Sequence, residues 1–155
     1  MNQAERRVWL IKALLDERPD GRSIAVPAGV SEQRDLLRAL MNVRPPEALA
    51  AETLDIQDAY LQQRLLERGG ATDAGTLPYR DRVAIWRGDI TLLKTDAIVN
   101  AANSQMLGCF VPGHSCIDNA IHTYAGMQLR LACANLMDEQ GHEEPTTHVK
   151  VTPAF

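Results

Sequence analysis

The sequence predicts an α/β fold preceded by a helical extension, and three observations lead to this prediction. Apolar residues recur at helical spacing through the first 68 residues. From residue 81 the pattern becomes a strand, a helical turn, a second strand, a long helix and a final strand, which is typical of α/β proteins. A small, polar stretch rich in glycine lies between the two parts. We therefore divide the chain into an extension (1–68), a linker (69–80) and an α/β part (81–155).

The extension consists of three predicted helices. Their expected bounds are residues 5–17, Ser31 to just before Pro45, and about Glu47 to Arg68. Ser31 is the expected N-cap of the second helix, which cannot continue into Pro45. Trp9 and Tyr60 are expected in the core, and the extension shows no residue pattern of a binding or catalytic site.

The α/β part supplies the expected sheet. Its predicted strands are residues 82–87, 96–100 and 148–152, and one long helix is predicted from Ile117 to about Met137. The apolar stripe of that helix is broad enough to lie on a sheet.

Charge and composition narrow the possible functions. The formal net charge is −4, which argues against a nucleic-acid-binding surface because such surfaces need a basic patch. No apolar run approaches the ~20 residues of a membrane span, and the first residues do not read as a signal peptide. The three cysteines fit a cytosolic metal site better than a disulfide framework. We expect a cytoplasmic protein that contacts neither nucleic acid nor membrane.

A candidate metal site lies between the second strand and the long helix. Cys109, His114 and Cys116 form a C-x4-H-x-C pattern, and thiolate and imidazole are the ligands that zinc prefers. Three protein ligands leave one position open, as in catalytic zinc sites. Cys133 is expected out of reach, because a continuous helix would place it roughly 25 Å from Cys116 at ~1.5 Å per residue.

Four further polar residues are candidates for ligand binding, and each has a structural alternative. Asp89 follows a strand and either binds a ligand or caps the next helical turn. Asn100 and Asn103 end the second strand, where open α/β sheets bind ligands, or they only form a turn. Asp118 lies in the first turn of the long helix, as a site residue or as a helix-terminal charge. His122, one turn later, is expected to be a structural histidine rather than a fourth metal ligand.

Three motifs in this order resemble the macrodomain family, which binds ADP-ribose. They are Gly88-Asp-Ile-Thr91, Asn100-Ala-Ala-Asn103-Ser104 and Ile117-Asp-Asn-Ala-Ile-His122. The cysteine and histidine insertion, together with the helical extension, looks like the zinc-dependent branch of that family, which consists of protein mono-ADP-ribosyl hydrolases. The resemblance covers essentially the whole chain and implies a macrodomain-like mixed sheet flanked by helices.

The resemblance also implies roles for individual residues. Asp89 would accept a hydrogen bond from the adenine amino group, and Ile90 would contact the same end of ADP-ribose. Asn103 would lie beside the distal ribose as a catalytic residue, and Asn100 would support that turn. Asp118 matches the acidic, ribose-contacting catalytic position of related hydrolases.

Zinc is the implied cofactor, held by Cys109, His114 and Cys116 near the scissile bond. There it would polarise a ribose hydroxyl or an ester carbonyl, or lower the pKa of a bound water. The expected function is removal of mono-ADP-ribose from acidic side chains of proteins, so ADP-ribose and an ADP-ribosylated protein are the expected partners. A non-catalytic ADP-ribose-binding module and an inactive truncated fragment are the alternatives.

The resemblance further implies that only about the first half of a macrodomain is present. In the family, the strand matching residues 148–152 is followed by more strands and by a glycine-rich loop around the diphosphate. This chain has no such loop. We therefore expect an exposed sheet edge and a poor hydrolase when the chain is isolated.

Overall fold

The computed structural model describes residues 1–155 and contains five α-helices and one two-stranded parallel sheet. In chain order the elements are α1 (Gln3–Asp16), α2 (Val30–Val43), α3 (Ala51–Glu67), β1 (Thr72–Asp73), β2 (Leu93–Lys94), α4 (Ile117–Ala125) and α5 (Met127–Gln140). Short 3-10 turns occur at Gly21–Ser23, Ala74–Thr76 and Ile90–Leu92. None of the helices combines the length and apolar character that a membrane span requires.

The three helices of the extension are confirmed, with shifts at their ends. Helix α1 begins earlier than predicted, because Asn2 and Glu5 form a reciprocal capping box. Helix α2 begins at Val30, and Gly29 rather than Ser31 is its N-cap. Helix α3 begins at Ala51 instead of Glu47, because buried Arg44 binds the carbonyl oxygen of Glu47 at 2.7 Å and keeps that segment in a loop.

The main hydrophobic core lies among the helices of the extension. Its members are buried residues of α1, α2 and α3 together with one residue of α5: Leu10, Ile11, Leu14, Leu15, Leu37, Leu40, Met41, Tyr60 and Met127. Tyr60 is buried and Trp9 packs against the cluster, as predicted. Because Met127 belongs to the same core, the extension and the start of α5 pack together.

The predicted linker contains a short strand. Residues Thr72 and Asp73 of β1 pair in parallel with Leu93 and Lys94 of β2. The linker therefore contacts the α/β part, and the observed sheet has two parallel strands rather than the expected larger mixed sheet.

The strands predicted at residues 82–87, 96–100 and 148–152 are not observed. A strand requires a neighbouring backbone that completes its hydrogen bonds, and these segments pair with no other strand. The nearest exception is an isolated bridge between Arg80 and Val83. Their apolar side chains face solvent, with Ile85 93%, Val99 82% and Val151 87% exposed. The prediction of strands at these three segments is therefore wrong.

The predicted long helix is broken at Gly126. This residue has φ 92° and ψ 169°, so α4 ends at Ala125 and α5 begins at Met127. Gln57 of α3, which is fully buried, accepts a hydrogen bond from the Met127 backbone N–H at 2.9 Å. A side chain at position 126 would meet the Gln57 amide at 2.6 Å, so the close approach requires glycine.

Candidate metal centre and ligand site

The metal loop, residues 108–116, brings the three predicted metal ligands together. One ligand atom from each of Cys109, His114 and Cys116 lies within 4.8 Å of the others. The loop begins at Gly108, whose φ of +79° is in the left-handed region, and turns again at Gly113 with φ +64°. The two cysteines are half-buried and His114 is exposed, so the cluster lies at the protein surface.

The spacing of these atoms fits zinc. The Sγ of Cys109 lies 3.6 Å from Nδ1 of His114. A tetrahedral zinc with ordinary Zn–S and Zn–N bonds separates such a pair by about 3.6 Å. No other histidine, cysteine, aspartate or glutamate belongs to the cluster. The donor set therefore matches an open three-ligand zinc site.

Cys116 has a second role that the sequence pattern did not reveal. It is the N-cap of α4, and its Sγ accepts a hydrogen bond from the backbone N–H of Asn119 at 3.4 Å. Cys116 therefore fixes the start of α4 and also contributes a sulfur atom to the cluster.

Cys133 lies outside the cluster, as predicted, although the reason given for it was wrong. The helix is not continuous, so the distance argument does not apply. Cys133 is instead buried with Ile121 and Leu129 in a second, smaller core. Burial raises the pKa of its thiol, which keeps it neutral and unsuited to metal.

A polar cluster joins two buried residues of α4, Asp118 and His122, to Asn100, which precedes the metal loop. The Asn100 side-chain amide donates to Asp118 Oδ1 at 2.7 Å, and His122 Nε2 lies 3.6 Å from the same oxygen. Asn100 Oδ1 and His122 Nδ1 are buried and have no hydrogen-bond partner. Two polar atoms near Asp118 are therefore buried without a hydrogen-bond partner in the protein.

His122 lies outside the group of possible metal ligands, and its buried Nδ1 has no hydrogen-bond partner. Its ring packs directly against the backbone of Gly108, where an added side chain would come within 2.7 Å of the ring. Burial lowers the pKa of His122, although the nearby Asp118 carboxylate partly opposes this effect. The imidazole is therefore neutral at pH 7 and links α4 to the start of the metal loop.

The lowered pKa of His122 predicts that the protein loses stability in mild acid. The unfolded chain takes up this proton near the ordinary value of about 6.5, whereas the folded chain does not. The contribution of His122 to the free energy of unfolding is therefore fully present above about pH 6.5. It decreases as the pH falls toward the lower pKa of His122 in the folded state. In urea unfolding at pH 5 to 8 with a chelator present, His122→Gln should flatten this dependence. The exposed His142→Gln variant should retain it, and an unchanged slope in His122→Gln would contradict the prediction.

Asp89 caps the helical turn Ile90–Leu92, which was the structural alternative to ligand binding, and it also pairs with Arg68. Its Oδ1 accepts hydrogen bonds from the Thr91 backbone N–H at 2.9 Å and from the Thr91 hydroxyl at 2.7 Å. Arg68, at the end of α3, forms an ion pair with Oδ2 and also stacks on the Tyr124 ring. Burial raises the pKa of Asp89, but the Thr91 hydrogen bonds and the Arg68 charge outweigh it, so the pKa lies below its ordinary value. The carboxylate is ionised and about half-exposed.

Ile90 and Asn103 make other contacts than those of the metal loop and the Asp118 cluster. Ile90 is partly buried against the Ile121, Leu129 and Cys133 core. Asn103 is exposed, and its Oδ1 accepts from the backbone N–H groups of Gln105 and Met106, each at 3.1 Å. Asn103 therefore forms a side-chain turn, which was its structural alternative.

A cavity of about 230 Å³ lies next to the Asp89 contacts, between α3 and α4. Its lining includes Leu61, Leu65, Arg68, Thr91, Tyr124 and Phe155. Arg68 is a residue of this site that the sequence analysis did not identify, because its position at the end of α3 gives no sign of its contact with Asp89.

Part of the chain matches a known protein family. The family model of the Macro domain matches residues 99–155. That match includes the metal loop, Asn100, Asn103 and Asp118. Asp89 and the extension lie outside it.

Three relatives extend the similarity to the rest of the chain. A "Protein-ADP-ribose hydrolase" of Treponema medium is 54% identical over 159 residues, covering 100% of this chain and 61% of the relative. A protein of the same name from Staphylococcus aureus (strain MRSA252) is 43% identical over 152 residues, covering 97% of this chain and 56% of the relative. A "Probable bifunctional ADP-ribose hydrolase/ADP-ribosyltransferase" of Fusarium oxysporum f. sp. cubense is 42% identical over 137 residues, covering 76% and 21%. The chain thus spans somewhat more than half the length of the first two relatives.

Proposed function

We propose that this protein is a zinc-dependent hydrolase that removes mono-ADP-ribose from acidic side chains of other proteins. The observation that carries the proposal is the cluster of Cys109, His114 and Cys116, followed within two residues by the buried carboxylate of Asp118. An open metal site beside a buried acid is suited to hydrolysis. The names of the relatives from Treponema medium and Staphylococcus aureus support the same reaction class.

The metal ligands would be Cys109, His114 and Cys116. Zinc held there would supply Lewis acidity, which would stabilise negative charge on a substrate oxygen. The reaction adds water across the bond between the distal ribose and the side-chain carboxylate, and it releases ADP-ribose and a free carboxyl group.

Asp118 is the residue positioned to hold a proton during this step. Asn100 and His122 both face Oδ1, which leaves Oδ2 to accept a hydrogen bond from a ribose hydroxyl or from water. The Asn100 hydrogen bond fixes the orientation of the carboxylate. His122 is neutral and adds no competing ion pair at pH 7. Asn103, three residues after Asn100, would approach the distal ribose.

Asp89 would bind the adenine end of ADP-ribose. An ionised carboxylate only accepts hydrogen bonds and has about four lone-pair positions, so the Thr91 and Arg68 contacts leave room for the adenine amino group. The cavity beside Arg68 and Tyr124 offers an apolar and aromatic wall at the same end.

A non-catalytic ADP-ribose-binding module is the second candidate. One observation favours it, namely that Asn103 Oδ1 is engaged by its own turn. Such a module would bind ADP-ribose without cleaving its ester, and zinc would then only stabilise the loop.

The decisive experiment compares release and binding in the same samples. A protein modified on glutamate or aspartate is incubated with the zinc-loaded chain, with the chelated chain and with the chelated chain after zinc is restored. We expect zinc to raise the rate of ADP-ribose release by at least about 100-fold over the chelated chain, while calorimetry shows ADP-ribose binding in all three. A substrate modified on arginine should stay intact. Binding without any zinc-dependent release would assign the reader function instead.

A further inference from the structure

We propose that helix α2 of the extension positions the metal loop, and that Arg38 and Asn42 are the positioning residues. The inference rests on the zinc site of the proposed function and extends it to a part of the chain in which the sequence showed no site residues. It is carried by hydrogen bonds that cross from α2 to the metal loop and to α4.

Arg38 connects α2 to two points of the metal site. Its guanidinium donates to Asn119 Oδ1 from Nε at 3.2 Å and from Nη2 at 2.7 Å. Nη2 also donates to the backbone carbonyl of His114 at 2.9 Å. A planar guanidinium can make these contacts together, whereas a lysine ammonium cannot reproduce the fork. Arg38 thus fixes the backbone of one metal ligand directly.

Asn119, which Arg38 contacts, forms hydrogen bonds with the other two candidate ligands, Cys109 and Cys116. It is fully buried, and its side-chain amide donates to the backbone carbonyl of Cys109 at 3.4 Å. Its backbone N–H donates to Cys116 Sγ at 3.4 Å. Arg38 and Asn119 together therefore contact all three metal-binding residues.

Asn42 attaches the tip of the loop to the same helix. Only 1% of Asn42 is exposed, and its Oδ1 accepts from the backbone N–H of Gly113 at 3.0 Å. Its side-chain amide donates to Thr123 Oγ1 of α4, also at 3.0 Å. The loop is thus held between α2 and α4 at its tip as well as at its ligands.

This network predicts a measurable effect on metal affinity. A loop held in place before zinc binds loses less conformational freedom on binding, so its affinity is higher. Residues that orient metal ligands typically change metal affinity by about 10–100-fold when they are replaced. We expect a loss of this size when Arg38 is removed.

The test measures the dissociation constant of zinc by competition with a chromophoric chelator, using the full chain. Arg38→Ala should bind zinc about 10–100-fold more weakly, and Arg38→Lys should lie between Arg38→Ala and the wild type. Arg34→Ala is the matched control, because Arg34 lies one turn earlier on α2 and pairs with Glu67 rather than with the metal loop. Its zinc affinity should equal that of the wild type.

Two further measurements separate positioning from simple folding. The absorption spectrum of the cobalt-substituted protein reports the ligand geometry, and it should change in Arg38→Ala and Asn42→Ala but not in Arg34→Ala. Circular dichroism of the metal-free variants reports folding, and Arg38→Lys replaces Arg38→Ala in the comparison if the latter is unfolded. Wild-type zinc affinity in the folded Arg38 variant, or an equal loss in Arg34→Ala, would overturn the inference. Zinc binding that depends on Arg38 in a protein that releases no ADP-ribose would instead refute the hydrolase proposal alone.

Discussion

Replacing Cys116 by serine is expected to remove the bound zinc and the zinc-dependent hydrolysis while leaving α4 intact. Cys116 is both a candidate metal ligand and the N-cap of α4. Serine is among the best N-cap residues, so the hydroxyl preserves the helix start. It is a poor zinc ligand, because zinc sites of this kind use thiolate and imidazole. The substitution therefore separates metal binding from helix capping.

Metal analysis of purified samples checks this prediction, together with the rate of ADP-ribose release. We expect less than about one tenth of the wild-type zinc, since loss of one of three ligands weakens binding by more than a second-sphere change of 10–100-fold. Cys133→Ser is the matched control, because Cys133 is buried in the small core away from the metal loop. It should lower stability but retain zinc. Undiminished zinc in Cys116→Ser would exclude this ligand set.

Asp118→Asn is expected to lower the rate of ADP-ribose release by about 10²–10⁴-fold, the usual contribution of a general acid or base. An asparagine at this position has the same shape, and its oxygen can still accept the Asn100 hydrogen bond that Asp118 accepts. It cannot take up a proton. Zinc content and ADP-ribose affinity should therefore stay close to the wild type.

Single-turnover release measured on zinc-loaded protein distinguishes this effect from weaker substrate binding. Asp96→Asn provides the control, because Asp96 is exposed and precedes Asn100 on the same segment. It should release ADP-ribose at the wild-type rate. A folded Asp118→Asn variant that retains full activity would remove Asp118 from the mechanism and leave the metal as the principal catalytic element.

The residues of the metal site were predictable because they are local. Cys109, His114 and Cys116 lie within eight residues, and two glycines with positive φ allow the loop to fold back. Asp118 follows in the first turn of the next helix, so its position relative to Cys116 depends only on helix geometry. The helices of the extension were also predictable, since their apolar periodicity and end signals are contained in each segment.

The strand pairing and the break in the predicted long helix were not predictable, because both depend on residues far apart in the chain. A β-prone segment becomes a strand only where another backbone pairs with it, and residues 82–87, 96–100 and 148–152 lack such a partner. The break at Gly126 depends on Gln57, which is 70 residues away from Met127 in the chain. The residue pattern within a segment shows neither which strand will pair with it nor that Gln57 will bind the backbone of Met127.

The sequence by itself determined the cluster of three candidate metal ligands, the acidic residue two positions after Cys116 and the helical character of the extension, because each depends on contacts within a few residues. The tertiary structure alone decided what surrounds them. It placed Arg38 and Asn42 against the metal loop and Arg68 against Asp89. These contacts join residues 21 to 76 positions apart. Such pairs leave no periodic trace in the sequence, because only the packing of α2 and α3 on the α/β part brings them within hydrogen-bonding distance.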